Sequence, residues 1–265
     1  MRKPAVSGKF YSSDREELEN QLSQAFASIP TSDAKGVVSP HAGYMYSGVT
    51  AAHAHAAIGP ADTYILLGPN HTGLGSELGV SMENWLTPLG TSKIDTELAQ
   101  QIIDKTEAEQ DELAHSREHS IEVQLPFIQF RHEGSRIVPI AMMQSEHSPP
   151  FYEKFGKQLA EIVRGQQKTV KVIASSDFSH FVPETTAKEN DMKAIKFIEQ
   201  LDLTNFVELI FDEQISICGF GPISALISFS ETLGIKRAEL LRYDTSATAS
   251  GDHDNVVGYA AIVFR

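Results

Sequence analysis

Cysteine is nearly missing. Cys218 is the only one in 265 residues, so no internal disulfide can form, and any chemistry at that position is that of a thiol. A reducing, cytoplasmic location is the expectation that follows. Long apolar runs are missing too: no window approaches the length of a membrane span, and Met1-Arg2-Lys3-Pro4 has no apolar segment behind its charge. Neither membrane insertion nor export is expected. Positive charge is scarce, with 22 lysines and arginines against 35 aspartates and glutamates and a net charge of −13. No basic cluster interrupts that excess along the chain, which disfavours nucleic acid and anionic membranes as partners, because both need a cationic footprint.

With 41% hydrophobic residues the chain can bury a sizeable core, and no repeat, low-complexity stretch or linker divides it. One domain spanning 1–265 is expected. Ser13 resembles a helix N-cap with Glu16 three residues on, and Leu18, Leu22, Phe26 and Ile29 follow at helical spacing, giving an amphipathic helix that covers one face of a sheet. Helices are also expected at Val49 to Ile58, behind Asp95, through Phe151 to Ile162, through Met192 to Ile198, through Phe206 and Ile210, and from Ile223 to Leu233. Between them stand short apolar runs: Val37-Val38, Tyr64 to Leu67, a possible strand in Leu78 to Leu86, Ile137 to Met142, Val170 to Ala174, Ala238 to Tyr243 and Val256 to Phe264. A polar loop, Asp244 to Asn255, separates the last two. Strands alternating with helices point to an α/β fold with a mixed, mostly parallel sheet and helices on both faces.

Three of the strand-like runs share a grammar. Val37-Val38-Ser39-Pro40 leads to His41, Tyr64-Ile65-Leu66-Leu67-Gly68-Pro69-Asn70 to His71, and Val170 to Ser176 to Asp177 and His180. If those strands are parallel neighbours, the three imidazoles converge at their carboxyl ends, where open α/β sheets bind ligands. That is a candidate metal site, since neutral imidazole is a common ligand of zinc, iron, copper and nickel. The plainer alternative has each histidine bonding loop backbone.

Cys218 precedes Gly219-Phe220-Gly221-Pro222 near the start of a helix, a place that favours a thiolate, itself both ligand and nucleophile; a lone cysteine is also commonly a small buried hydrophobe. Asp177 either orients an imidazole, acts as an acid or caps its loop. His119, between Glu118 and Glu122, is either a proton-transfer group or a surface residue. His53 and His55 are read as structural, and His115, His132, His147 and His253 as facing solvent.

Taken in order, Ser39-Pro40-His41-Ala42-Gly43-Tyr44, Leu67-Gly68-Pro69-Asn70-His71, Glu118-His119-Ser120-Ile121-Glu122, Ser175-Ser176-Asp177-Phe178-Ser179-His180 and Ile217-Cys218-Gly219 resemble the motifs of the Memo family. The likeness runs from Ser7-Gly8-Lys9-Phe10-Tyr11 to the last strand. It implies a fold similar to the class III extradiol dioxygenases, metal ligands His41, His71 and Cys218, and His180, Asp177 and His119 lining the same pocket, His180 as acid/base and His119 as a polarising partner. Those dioxygenases hold non-haem Fe(II) with two histidines and a carboxylate, whereas Cys218 stands in the third position here. A thiolate is softer, which moves preference toward copper or zinc, so ring cleavage is not carried over.

The expectation is a mononuclear redox protein, with Fe(II) first and copper or zinc as alternatives. The resemblance also implies a small-molecule or peptide ligand, because animal members of the family are linked to cell motility and phosphotyrosine-peptide binding. Two further readings stand beside it: a binding module using the same pocket, and a metal-free hydrolase with Cys218 as nucleophile and His180 as base oriented by Asp177.

Overall fold

A computed structural model describes residues 1–143 and 149–265; His147 lies outside them. The chain forms one α/β domain built on a nine-stranded sheet. Its order is β10-β11-β1-β8-β2-β7-β3-β6, with β9 added against β11. The centre consists of β1 (Gly36–Ser39), β8 (Val170–Ser175), β2 (Thr63–Asn70) and β7 (Arg136–Met143), mutually parallel and buried nearly throughout. Continuous apolar runs such as Tyr64 to Leu67 are what a strand covered on both faces requires. On one flank lie β3 (Leu78–Val80), antiparallel to β7, and β6 (Glu109–Gln110). On the other, β10 (Ala238–Thr245) and β11 (Val256–Phe264) run antiparallel, and β9 (His180–Val182) joins β11 near its start. A separate hairpin pairs β4 (Trp85–Thr87) with β5 (Gly90–Ser92), so the expected strand over Leu78 to Leu86 is two strands in different sheets.

The helices follow their apolar spacing. α1 (Arg15–Ala25) is capped by Asp14, whose carboxylate accepts from the Glu17 N–H at 2.9 Å, rather than by Ser13. It does not lie directly on the sheet as expected: Leu18, Leu22 and Phe26 pack with Ala51 and Ala52 of α2 (Tyr44–Ile58), Phe127 of α4 (Leu125–Arg131) and Val123 of the 3-10 turn Glu122–Gln124 before it. α2 begins at Tyr44, a turn and more before Val49, because Gly43 ends the extended segment that carries His41. α3 (Thr96–Lys105) is capped by Asp95, and Pro126 fits the first turn of α4, where its missing N–H costs no hydrogen bond.

α5 (Pro149–Arg164) packs on α8 (Phe220–Thr232), which in turn covers β8, β2 and β1. α6 (Glu184–Glu199) and α7 (Leu203–Asp212) complete that side of the chain, and a short α9 (Ala247–Ser250) interrupts the expected polar loop. Among the described residues no helix is long and apolar enough to cross a membrane.

Among the described residues two histidines, His55 and His115, are fully buried without facing the site. His115, expected in solvent, is fully buried: its Nε2 meets the Gly79 carbonyl at 2.8 Å and its ring stands edge-on to Trp85. His132 is half-buried beside Tyr64, and His253 is exposed as expected, bonded to Glu184. His55 stacks on Phe127 and donates from Nε2 to Gln124 Oε1 at 2.8 Å. Burial holds His55 down to about 3 and His115 to about 4. Both are neutral in the folded chain down to those values, while the unfolded chain binds protons from pH 6.5 downward. Each therefore supports stability fully above pH 6.5 and withdraws that support as pH falls toward its folded value. Urea unfolding between pH 7 and pH 5 should show this slope, and His55→Gln, which keeps an N–H for Gln124, should flatten it by about 1 kcal/mol per pH unit. An unchanged slope in the variant would count against the assignment.

Candidate metal centre

The site is set by the order of the central strands. Val38 and Leu67 both lie beside Ala174, from opposite edges of β8, so β1 and β2 are in step there, β1 ending one residue later and β2 three residues later. His41 and His71 follow within four residues of that row. Above β8 itself sits the turn Ile217-Cys218-Gly219, which enters α8. The close approach depends on Gly219, where a Cβ would fall 2.4 Å from Ser176 Cβ and 2.5 Å from the Ser175 carbonyl oxygen. Cys218 Sγ reaches 3.2 Å from His41 Nε2 and accepts from the Asp177 N–H at 3.3 Å. Ligand atoms of His41, His71 and Cys218 all lie within 4.8 Å of one another.

The third strand delivers something other than a third central imidazole. β8 ends at Ser175, and Ser176 to Ser179 carry the chain away, so His180 opens β9 and donates from Nδ1 to the Ser216 carbonyl at 2.7 Å. The imidazole that joins His41 and His71 is His119, with ring centroids 5.5 and 5.0 Å from theirs. His180 instead lines a cavity of about 620 Å³ with His71, Cys218 and the apolar side chains of Ile210, Phe211 and Phe220. Its neighbour Phe181 is 74% exposed and held at φ 57, a left-handed conformation that a bulky residue adopts only where the surrounding structure imposes it.

Hydrogen bonds fix both proposed imidazole ligands in orientation. Ser175 Oγ donates to the Ser120 carbonyl at 2.7 Å and accepts from Gln124 Nε2 at 2.8 Å. Its single proton is thereby committed, so His41 Nδ1, 2.9 Å away, must be the donor, and His41 Nε2 presents its lone pair toward Cys218. Glu118 does the same for His71. Its Oε1 lies 3.0 Å from His71 Nδ1 and 2.8 Å from the Ser120 N–H, and Oε2 accepts from the His71 N–H at 2.6 Å. Burial opposes ionisation of Glu118, but the bond and charge of His71 and the backbone donors outweigh it and hold the carboxyl below its ordinary range.

Glu122, fully buried, accepts from Arg2, Tyr11 and the N–H groups of Ala5 and Val6, while Arg2 also bonds the His115 and Glu118 carbonyls. The segment from Ala5 to Tyr11 is thus tied to the body through Glu122. Ser175, Gln124, Glu118 and Glu122 were not singled out from sequence as site residues. Their signal is polar side chains recurring in Glu118 to Gln124 just ahead of the apolar helix.

Electrostatics favour neutral groups. Burial, then the nearby His119 and His71, lower His41 well below 6.5, and burial likewise lowers His119. Burial raises Asp177 despite the bond its Oδ1 accepts from the His41 N–H at 2.7 Å. Burial and the Asp177 charge push the Cys218 thiol well above its ordinary value, so the helix start does not stabilise a free thiolate as expected.

The hydrolase constellation is not formed. Cys218 is paired with His41 rather than His180, and the Asp177 carboxylate bonds the His41 N–H. Among the described residues no hydrogen bond joins Asp177 to His180. Two imidazole nitrogens and a sulfur at this spacing do suit one ion, which such ligands hold at about 2.0–2.3 Å.

The family model described as Memo-like protein matches residues 2–263. The chain belongs to the Memo family. Among its relatives, a MEMO1 family protein of Methanosarcina mazei is 46% identical over 99% of this chain and 98% of its own length. Another, of Archaeoglobus fulgidus, is 40% identical over the whole of both chains. Among solved structures, an uncharacterized protein of Escherichia coli K12 superposes with a TM-score of 0.51 at 11% identity, covering 75% of this chain and 85% of that one. At that identity the match speaks for a shared fold alone.

Gly219→Ala should cost about 1–3 kcal/mol in urea unfolding, because the added methyl displaces the Cys218 turn from β8. A variant within about 0.5 kcal/mol of the parent would show that the turn yields freely.

Proposed function

We propose that this Memo-family chain is a mononuclear metal-binding redox protein, holding one ion through His41 Nε2, His71 Nε2 and Cys218 Sγ and acting on a small molecule. The observation that carries this reading is the gathering of three ligand atoms within 4.8 Å, with the other nitrogen of each imidazole already engaged. Second bonds of this kind, from serine and carboxylate, fix the tautomer of a metal-binding histidine and raise its basicity. We take Fe(II) first from the likeness to the non-haem iron dioxygenases, with copper or zinc, which one soft sulfur beside two imidazoles favours, as alternatives. When bound, the metal would supply a Lewis-acidic centre, redox-active in the case of iron or copper.

The chain's own groups then divide the work. His180, with its Nδ1 proton committed to the Ser216 carbonyl, keeps Nε2 as the atom that takes or gives a proton. Asp177, buried and raised toward neutrality, is a second proton site beside His41 and the sulfur. His119 packs against His71 and faces Glu118 at 3.4 Å, a position from which it polarises a bound group. Ile210, Phe211 and Phe220 present an apolar wall that excludes water from one side of the ligand.

A binding module without turnover is the second reading, favoured by the same cavity of about 620 Å³, within the size of small-ligand sites. Metal analysis of protein purified without chelator should find about one ion per chain. Cys218→Ser and His41→Ala should each lower occupancy at least tenfold without unfolding the chain. Full occupancy in Cys218→Ser would refute the ligand set. Ligand affinity indifferent to His41→Ala, together with no redox turnover, would favour the binding module.

A further inference from the structure

A second concavity lies at the opposite end of the sheet. Its walls come from the residue before β1, the start of β8, the carboxyl ends of α5 and α8, and the loop into β10. It encloses about 800 Å³ and lies one length of β8, about 20 Å, from the metal ligands. Among the described residues six basic side chains line it and no acidic one does: Lys35, Arg164, Lys168, Lys236, Arg237 and Arg265. On a chain of net charge −13 this is a local reversal of sign. No sequence window displays it, because the six come from four separated segments.

Three of these cations have other duties. Arg164 bonds the Thr232 carbonyl at the end of α8, Lys168 pairs with Asp95, and Arg265 pairs with Glu239. Lys35, Lys236 and Arg237 form no ion pair among the described residues. Asp33 and Glu231 lie within electrostatic reach of Lys35 and Lys236, yet neither lines the cavity. Like charges brought around one concavity repel; the carbonyl ends of α5 and α8 offset part of that repulsion, and a bound anion eases the rest. The same lining includes the apolar side chains of Val163, Leu233 and Ile235.

We infer that this cavity binds an organic polyphosphate of nucleotide size, its phosphates held by Lys35, Lys236 and Arg237 and its organic body resting on Val163, Leu233 and Ile235. The volume falls within the range of small-ligand pockets, roughly 300–1,000 Å³. A long nucleic acid fits less well, since its backbone would leave the basic patch and meet an acidic surface.

Calorimetric titration of the purified protein with ATP, inorganic tripolyphosphate and adenosine tests the site. ATP should saturate one site and bind more tightly than tripolyphosphate, while adenosine alone should not bind at the same concentrations. The double variant Lys236→Glu with Arg237→Glu should weaken ATP at least tenfold, with metal content and melting temperature unchanged. No saturable ATP binding, equal ATP binding by parent and double variant, equal affinity for ATP and tripolyphosphate, or displacement of ATP by a short single-stranded RNA at lower concentration would each overturn the inference.

Discussion

The whole site depends on β1 and β2 hydrogen-bonding in parallel to the two edges of β8. That pairing puts Val38, Ala174 and Leu67 in one row, so the segments that follow β1 and β2 emerge side by side. Neighbouring strands are about 4.8 Å apart, so β1 and β2 stand two strand spacings apart, and the side chains of His41 and His71 lean toward each other until their ring centroids are 5.3 Å apart. The Cys218 turn brings its sulfur within 4.8 Å of their ligand atoms. Its entry is possible because Gly219 has no side chain to strike Ser176, and because β8 stops at Ser175 instead of continuing beneath it.

Polar groups then convert proximity into orientation. His55, Gln124, Ser175 and His41 form one chain of hydrogen bonds running outward from α2 to the site, and each donor assignment forces the next. The Gln124 amide is anchored a second time by the Pro40 carbonyl, 2.9 Å from Nε2, so the chain cannot reverse without losing that bond. On the other side the carboxylate of Glu118 holds His71, and Arg2 ties the Glu118 backbone to Glu122 and the amino-terminal segment. A buried carboxylate is costly unless every oxygen is engaged, and both Glu118 and Glu122 meet that condition.

Much of this was legible in the residues. Apolar runs ending before Pro40, in Pro69-Asn70 and in Ser175-Ser176 identified three of the four central strands, and the alternation with helices pointed to a mostly parallel sheet; that the three are neighbours stood only as a condition, and the pairing of β1 and β2 with the two edges of β8 meets it. The positions of His41, His71 and Cys218 in the Memo-like motifs pointed to the cluster the fold assembles. What periodicity could not convey is direction. His180 follows its strand as His41 and His71 follow theirs, but four residues intervene before it and they turn toward β11, so it reaches the cavity wall rather than the centre. His119 takes the central place from a loop that carries no strand signal. His115 sat in a charged segment that resembles surface, and only the packing of Trp85 and Gly79 around it explains its burial. The basic cavity escaped for the same reason: Lys35, Lys236 and Arg237 meet through tertiary structure, and a count along the chain sees only the acidic excess.

The account places one sulfur and two imidazole nitrogens around a single ion. X-ray absorption of the metal-loaded protein at the metal edge reads that ligand set directly. It should require one sulfur scatterer at about 2.3 Å together with nitrogen scatterers at about 2.0–2.1 Å. A spectrum satisfied by oxygen and nitrogen alone, with no sulfur in the coordination shell, would contradict it.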